Sequence, residues 1–178
     1  ITKNIPWVAL TATASATVVE DILKLLKFDG KNAKKFKIPC FRSNLYYDVV
    51  FRDTFHGFEE FDDLKDFIES AIGDDLDGQR TTRSGCGIIY ARTRDGTEEV
   101  AYQMDKRGIP SKAYHAGLKD AERTQVQEDW MSGKVAVIVA TISFGMGVDK
   151  GPVRFVVHWC APQNVAGNSS KRFVLLNR

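Results

Sequence analysis

The chain has 178 residues, 43% of them apolar, enough to bury the core of one domain of ordinary size. Its 25 lysines and arginines stand against 23 aspartates and glutamates, and the net charge of +2 excludes a strongly basic, polyanion-binding chain. Contact with any polyanion has to come from a local patch. Cys40, Cys86 and Cys160 are odd in number, far apart and each in or beside apolar sequence, which suits free core thiols in a reducing compartment better than a disulfide framework. No charged-then-apolar signal segment opens the chain, and no apolar run approaches the roughly 20 residues of a membrane helix, so a soluble, intracellular protein with no membrane partner is expected. The start at Ile1 reads as part of a longer protein.

In chain order, Ile5 to Thr11 reads as a short apolar strand. Ala14 to Phe28 reads as a helix, with Val18, Ile22 and Leu26 repeating every fourth residue and Gly30 placed as its stop. The basic connector "KNAKKFK" (31–37) is the expected domain boundary, and after Pro39 the run "CFRSNLYYDVVF" has strand composition. From there helix and strand alternate. A helix is predicted at Phe58 to Ile72, a strand at "CGIIYA", a helix at Asp95 to Arg107 and a strand at "SKAYH". A helix at Lys119 to Ser132, a strand at "KVAVIVAT", a loop and a strand at "RFVVHW" complete the series. Such alternation predicts an α/β fold with a parallel sheet and helices on both faces, and the continuously apolar strands fit burial from both sides. Asp95 with Glu98 resembles a capping box, and Gly108 and Gly133 are placed to close two helices.

Ligands of open parallel sheets bind beyond the carboxyl ends of the strands. There this chain puts "RTRD", "AGL" and "TISFGMGVDKG", rich in hydroxyls, glycine amides and arginines, the groups that hold phosphate oxygens. Arg92 and Arg94 read either as phosphate ligands or as solvated loop arginines, and His115 either as a ligand or as a satisfied histidine at the core edge. His56 and His158 carry less signal, and no Cys/His spacing suggests a metal. Gly145-Met146-Gly147 fits close backbone approach to a ligand or a tight strand-to-strand turn. It is not a dinucleotide fingerprint, because Lys150 stands where the third glycine belongs and a strand follows. A triphosphate-gripping loop is missing too: Gly133-Lys134 is followed by Val135 and preceded, at the required spacing, by Glu128.

Taken together, "VALTATASATVVEDI", "CGIIYARTRD", "AYHAGL" and "VIVATISFGMGVDKGPVRFVVHW" resemble the RecQ family of ATP-dependent DNA helicases, most of all its five-type subgroup. The resemblance runs from about Val8 to Gly167. It implies a superfamily-two motor of two RecA-like lobes, three-layer α/β folds, with ATP and Mg2+ between them and single-stranded or forked DNA crossing both. On that basis residues 1–37 are the last strand and helix of the first lobe, 38–167 most of the second, and 168–178 a divergent tail. The rest of the first lobe is the implied partner, and the implied setting is DNA repair and recombination in the nucleus. The resemblance assigns Thr11 and Thr13 to the motif coupling nucleotide state to lobe movement. It assigns Thr93, Arg94, His115, Gly117, Thr141 and Ser143 to DNA, and Gly147 and Asp149 to the nucleotide. The upstream phosphate loop and magnesium carboxylates lie outside the chain, and "NSSKRFVLLNR" replaces the family's arginine-finger motif, so no catalytic role falls on Arg172 or Arg178. The chain alone is therefore expected not to hydrolyse ATP. A truncated, non-catalytic DNA-binding or interaction module and an RNA helicase lobe are the alternatives.

Overall fold

The computed structural model describes residues 7–11, 15–28, 33–37, 42–51, 56, 59–73, 85–141, 144 and 148–160, and the backbone of 171–177. The chain divides into two compact units, Ile1–Phe41 and Arg42–Arg178.

In the first unit, helix α1 spans Ala16–Leu25. The Ser15 side chain caps it by accepting from the Val18 amide at 3.3 Å, satisfying one of the donors that a first turn leaves open. It ends earlier than the sequence suggests. Lys27 takes a left-handed φ of 53°, and the Phe28 amide donates back to the Leu23 carbonyl at 2.9 Å, a Schellman-type closure made without glycine. Gly30 lies outside the described residues. No residue of α1 is buried, and of its apolar stripe Val18 and Leu26 are exposed. The strand predicted at Ile5 to Thr11 is corrected: residues 7–11 have no strand conformation. A strand is held by a neighbour's amides and carbonyls, and the described residues of this unit include no other strand to supply them.

The second unit is a six-stranded sheet in the order β1-β6-β5-β2-β4-β3. Its strands are β1 (Leu45–Phe51), β2 (Cys86–Tyr90), β3 (Ser111–Tyr114), β4 (Val137–Ala140), β5 (Val153–His158) and β6 (Lys171–Asn177). The four strands β5, β2, β4 and β3 are parallel, as the alternating pattern requires. β6 joins β5 antiparallel, and β1 pairs with β6 antiparallel from Leu45↔Asn177 to Phe51↔Lys171. The tail whose sequence matched no family motif thus supplies a strand between the first strand and the parallel block.

Helices α2 (Glu59–Ile72), α3 (Arg94–Lys106) and α4 (Asp120–Met131) cover the parallel strands. Alternate residues face opposite ways along a strand, and the core divides accordingly. Ile89, Val137, Val139, Phe155 and Val157 pack with Leu64 and Ile68 of α2 and Val100 and Met104 of α3. Ile88, Ile138 and Ala140 pack with Val126 and Trp130 of α4. This is the three-layer arrangement expected. Gly108 and Gly133, at φ 85° and 84°, end α3 and α4 in the left-handed conformation foreseen for them. The start of α3 differs from expectation: its cap is Thr93, whose Oγ1 accepts from the Gly96 amide at 3.0 Å, and not Asp95 with Glu98. Cys86 is a buried free thiol and Cys160 a half-buried one, while Cys40 lies outside the described residues.

Candidate nucleic-acid interface

The carboxyl ends of β2, β3 and β4 meet at one edge. The Ala91 amide donates to the Ala140 carbonyl at 2.9 Å and the Thr141 amide to the Tyr114 carbonyl at 3.3 Å. Sequence-distant segments that begin at Arg92, His115 and Thr141 are thereby set side by side.

Four residues form the best-defined group on this edge. The His115 ring is buried, 3% exposed. Its Nε2 sits 3.1 Å from Glu98 Oε1, and its Nδ1 accepts from the Gly117 amide at 3.2 Å. An acceptor role at Nδ1 assigns the hydrogen to Nε2, which donates to Glu98. Both ring nitrogens are therefore engaged by protein partners. Gly117 is tightly approached: a Cβ built there would lie 3.0 Å from His115 Nδ1, 3.1 Å from Arg94 Nη1 and 3.2 Å from Arg94 Cδ. The exposed Arg94 side chain thus lies along the Gly117 backbone, one turn of α3 before Glu98. Thr93 is exposed and uses its oxygen as the α3 cap, which leaves its hydroxyl hydrogen for an outside acceptor.

The structure brings Thr93, Arg94, His115, Gly117 and Thr141 to this edge. Among the described residues no hydrogen bond or ion pair joins Asp149 to them: it is exposed, and its neighbour Lys150 bonds the carbonyls of Trp130 and Met131 at the end of α4. That end lies at the opposite edge of the sheet, where β4 begins. Thr11 belongs to the first unit, and Thr13, Ser143 and Gly147 lie outside the described residues. Two further residues at the edge escaped the sequence reading. Glu98 was absorbed into a supposed capping box, although its spacing of four from Arg94 put both on one face of α3. Tyr90, the only hydroxyl in "CGIIY", donates to the Phe144 carbonyl at 2.8 Å.

Burial raises the Tyr90 phenol above the ordinary tyrosine value and lowers His158 below the ordinary histidine value, so both are neutral near pH 7. Among the described residues no group of three or more His, Cys, Asp and Glu could hold a metal ion. Among the described residues the edge offers a guanidinium, a hydroxyl and backbone polar groups. Such groups can grip anionic oxygens.

Residues 61–172 match the helicase conserved C-terminal domain. The chain belongs to that family. It is 52% identical over 162 residues to ATP-dependent DNA helicase Q5 of Rattus norvegicus, and the match covers 91% of this chain and 16% of that protein. Helicase Q5 of Mus musculus is 51% identical with the same coverage, and hus2/rqh1 of Schizosaccharomyces pombe is 37% identical over 93% of this chain and 11% of its own length. The RecQ resemblance carried by "AYHAGL" and "FGMGVDK" is borne out. The chain spans about a sixth of the length of its helicase Q5 relatives. Among solved structures, a Saccharomyces cerevisiae Dbp5 variant bound to Gle1 and IP6 is similar with a TM-score of 0.57 and 20% identity, covering 87% of this chain and 35% of that one. At that identity the likeness is one of fold, and it is the RecA-like fold expected of this helicase domain. No helix among the described residues is long and apolar enough to cross a membrane.

Proposed function

We propose that this helicase domain is the second RecA-like lobe, with the closing helix of the first, of a RecQ-type helicase that couples ATP hydrolysis to movement along single-stranded DNA and to duplex unwinding. Its work is the repair and recombination of nuclear DNA. Residues 1–37 close the first lobe, 38–167 form the second, and the rest of the first lobe is its partner. The observation that carries this reading is the packing of Arg94 along Gly117, fixed by the His115 and Glu98 pair, which supports an exposed cation beside the Thr93 hydroxyl. Charge-assisted contacts of this kind position a nucleic-acid backbone without reading its bases.

Thr93, Arg94 and Gly117 meet the phosphates directly, and His115 acts through Gly117. Thr141 and Ser143 extend the track, Gly147 and Asp149 face the nucleotide, and Thr11 and Thr13 relay between lobes. Among the described residues no group of three or more His, Cys, Asp and Glu could hold a metal ion, and the 178 residues contain no phosphate-loop pattern. ATP and Mg2+ therefore belong to the complete helicase, and this polypeptide alone turns over no ATP, an arginine finger alone being worth about 10³ to 10⁵ in rate.

The test is fluorescence anisotropy with a labelled oligodeoxythymidine of about 20 nucleotides, titrated across salt. Binding that steepens as salt falls is expected, with Arg94→Ala weakening it and lowering the slope of log K against log salt by about 1. Absence of binding at low salt, or an unchanged slope in Arg94→Ala, would refute the proposal.

A further inference from the structure

We propose that Tyr90 is a positioning residue for the start of the segment after β4: its hydroxyl fastens the Phe144 carbonyl and so ties Phe144 to the end of β2. The inference rests on the reading of Thr141 and the start of this loop as part of the DNA-facing edge.

Phe144 is the point at which the loop is pinned. It is 4% exposed, and its ring is wedged edge-on between Tyr114 at the end of β3, 4.8 Å between centroids, and Trp130 of α4 at 5.5 Å. Its amide donates to the Thr141 carbonyl at 3.3 Å, closing a turn at the loop entrance. The remaining polar group of its backbone, the carbonyl, is the one Tyr90 Oη reaches at 2.8 Å. Apolar packing holds the Phe144 ring without fixing the direction of its carbonyl, whereas a directed hydrogen bond fixes it.

Tyr90 is itself fixed on two sides. Its carbonyl accepts from the Trp159 amide at 2.8 Å, and its ring stacks on His158 at 5.3 Å and 23°. One residue therefore ties the ends of β2 and β5 through its backbone and ring, and the β4 loop through its hydroxyl. Three residues on from Tyr90 is Thr93, then Arg94, so the phosphate-gripping segment and the loop share one anchor. A phenylalanine would fill the same space and keep the stack on His158. Only the loop carbonyl uses the hydroxyl. Burial raises the phenol above the ordinary tyrosine value, which keeps it a neutral donor through physiological pH.

The test is hydrogen exchange by mass spectrometry on the full chain carrying Tyr90→Phe, with the exposed Tyr102→Phe as control. The expected result is amide exchange faster by roughly tenfold at Phe144, whose amide closes the turn onto the Thr141 carbonyl, with β2 and β4 unchanged. DNA affinity should fall with the salt slope unaltered, because no cation is lost. Tyr90→p-aminophenylalanine, which restores a donor on the same ring, should restore slow exchange in the loop. It also serves as the second variant if Tyr90→Phe does not fold. Loop exchange at the wild-type rate in Tyr90→Phe, or acceleration of loop and strands alike, would overturn the proposal. Because exchange is read without DNA, failure of the unmodified chain to bind DNA would sink the proposed function and leave this readout intact.

Discussion

Arg94 lies close to Gly117 at the edge of the sheet: a Cβ on Gly117 would stand 3.1 Å from Arg94 Nη1 and 3.2 Å from its Cδ, and 3.0 Å from His115 Nδ1. Gly117 is exposed and its φ is not in the left-handed range, so the requirement for glycine comes from proximity and not from backbone strain. Gly117→Ala should therefore fold, with stability changed by about 0.5 kcal/mol or less. Its Cβ has to displace Arg94 and the His115 ring by a few tenths of an ångström, and weaker DNA binding at a slightly lowered melting temperature is the expected outcome. Calorimetry beside anisotropy checks the two halves.

Glu98 acts on the same group from the other side. Glu98→Ala removes the acceptor from a buried imidazole N–H, and because the Glu98 side chain is 62% exposed, water takes over part of its role. The cost expected is about 1 kcal/mol, at the low end for an orphaned buried donor. Urea unfolding should show a lower midpoint with an unchanged slope, since no large surface is newly exposed.

Stability should fall in acid in two separate windows. His158 has its folded value lowered by burial, so the unfolded state binds its proton more readily. That stability is present above the ordinary value of 6.5 and is lost as pH falls below it. His158→Phe keeps an aromatic ring against Tyr90 and removes the titration, so its melting temperature should drop less than wild type between about pH 7 and about pH 5.5. Asp129 is lowered chiefly by its hydrogen bond from Lys112 at 2.8 Å and then by that from Gln125. Its stability is present above 3.8 and is lost only as pH falls further, so Asp129→Asn should alter the second window and leave the first alone.

Gly87 offers the harshest test of the core. A Cβ there would lie 2.0 Å from Phe155 Cζ, inside a ring that is itself fully buried. Gly87→Ala should cost about 3 kcal/mol, the upper range for overpacking. Adding Phe155→Leu should recover part of it, an interaction between the two sites that thermal unfolding of both single variants and the double would reveal.

Much was legible in the chain alone. Apolar runs of period 3.6 and of unbroken length located α1 to α4 and the parallel strands, because helix stripes and doubly covered strands are local consequences of burial. Gly108 and Gly133 announced helix ends, because only the absence of a Cβ makes a left-handed turn cheap there. The motif wording pointed to the RecQ helicases, to which the chain is similar. Other features depended on partners that are distant in sequence. Residues 7–11 look like a strand, yet a strand exists only where a neighbour supplies its ladder. Residues 171–177 match no motif, yet they complete the sheet by pairing with β1 and β5. Glu98, Tyr90 and Phe144 carry no pattern that marks them, since hydrogen bonds spanning 17 and 54 residues are set by how the strand ends converge. Composition and periodicity decided which segments are helix or strand, because those follow from neighbours along the chain. Tertiary structure alone decided which side chains meet at the edge, because that depends on groups brought together only when the sheet closes.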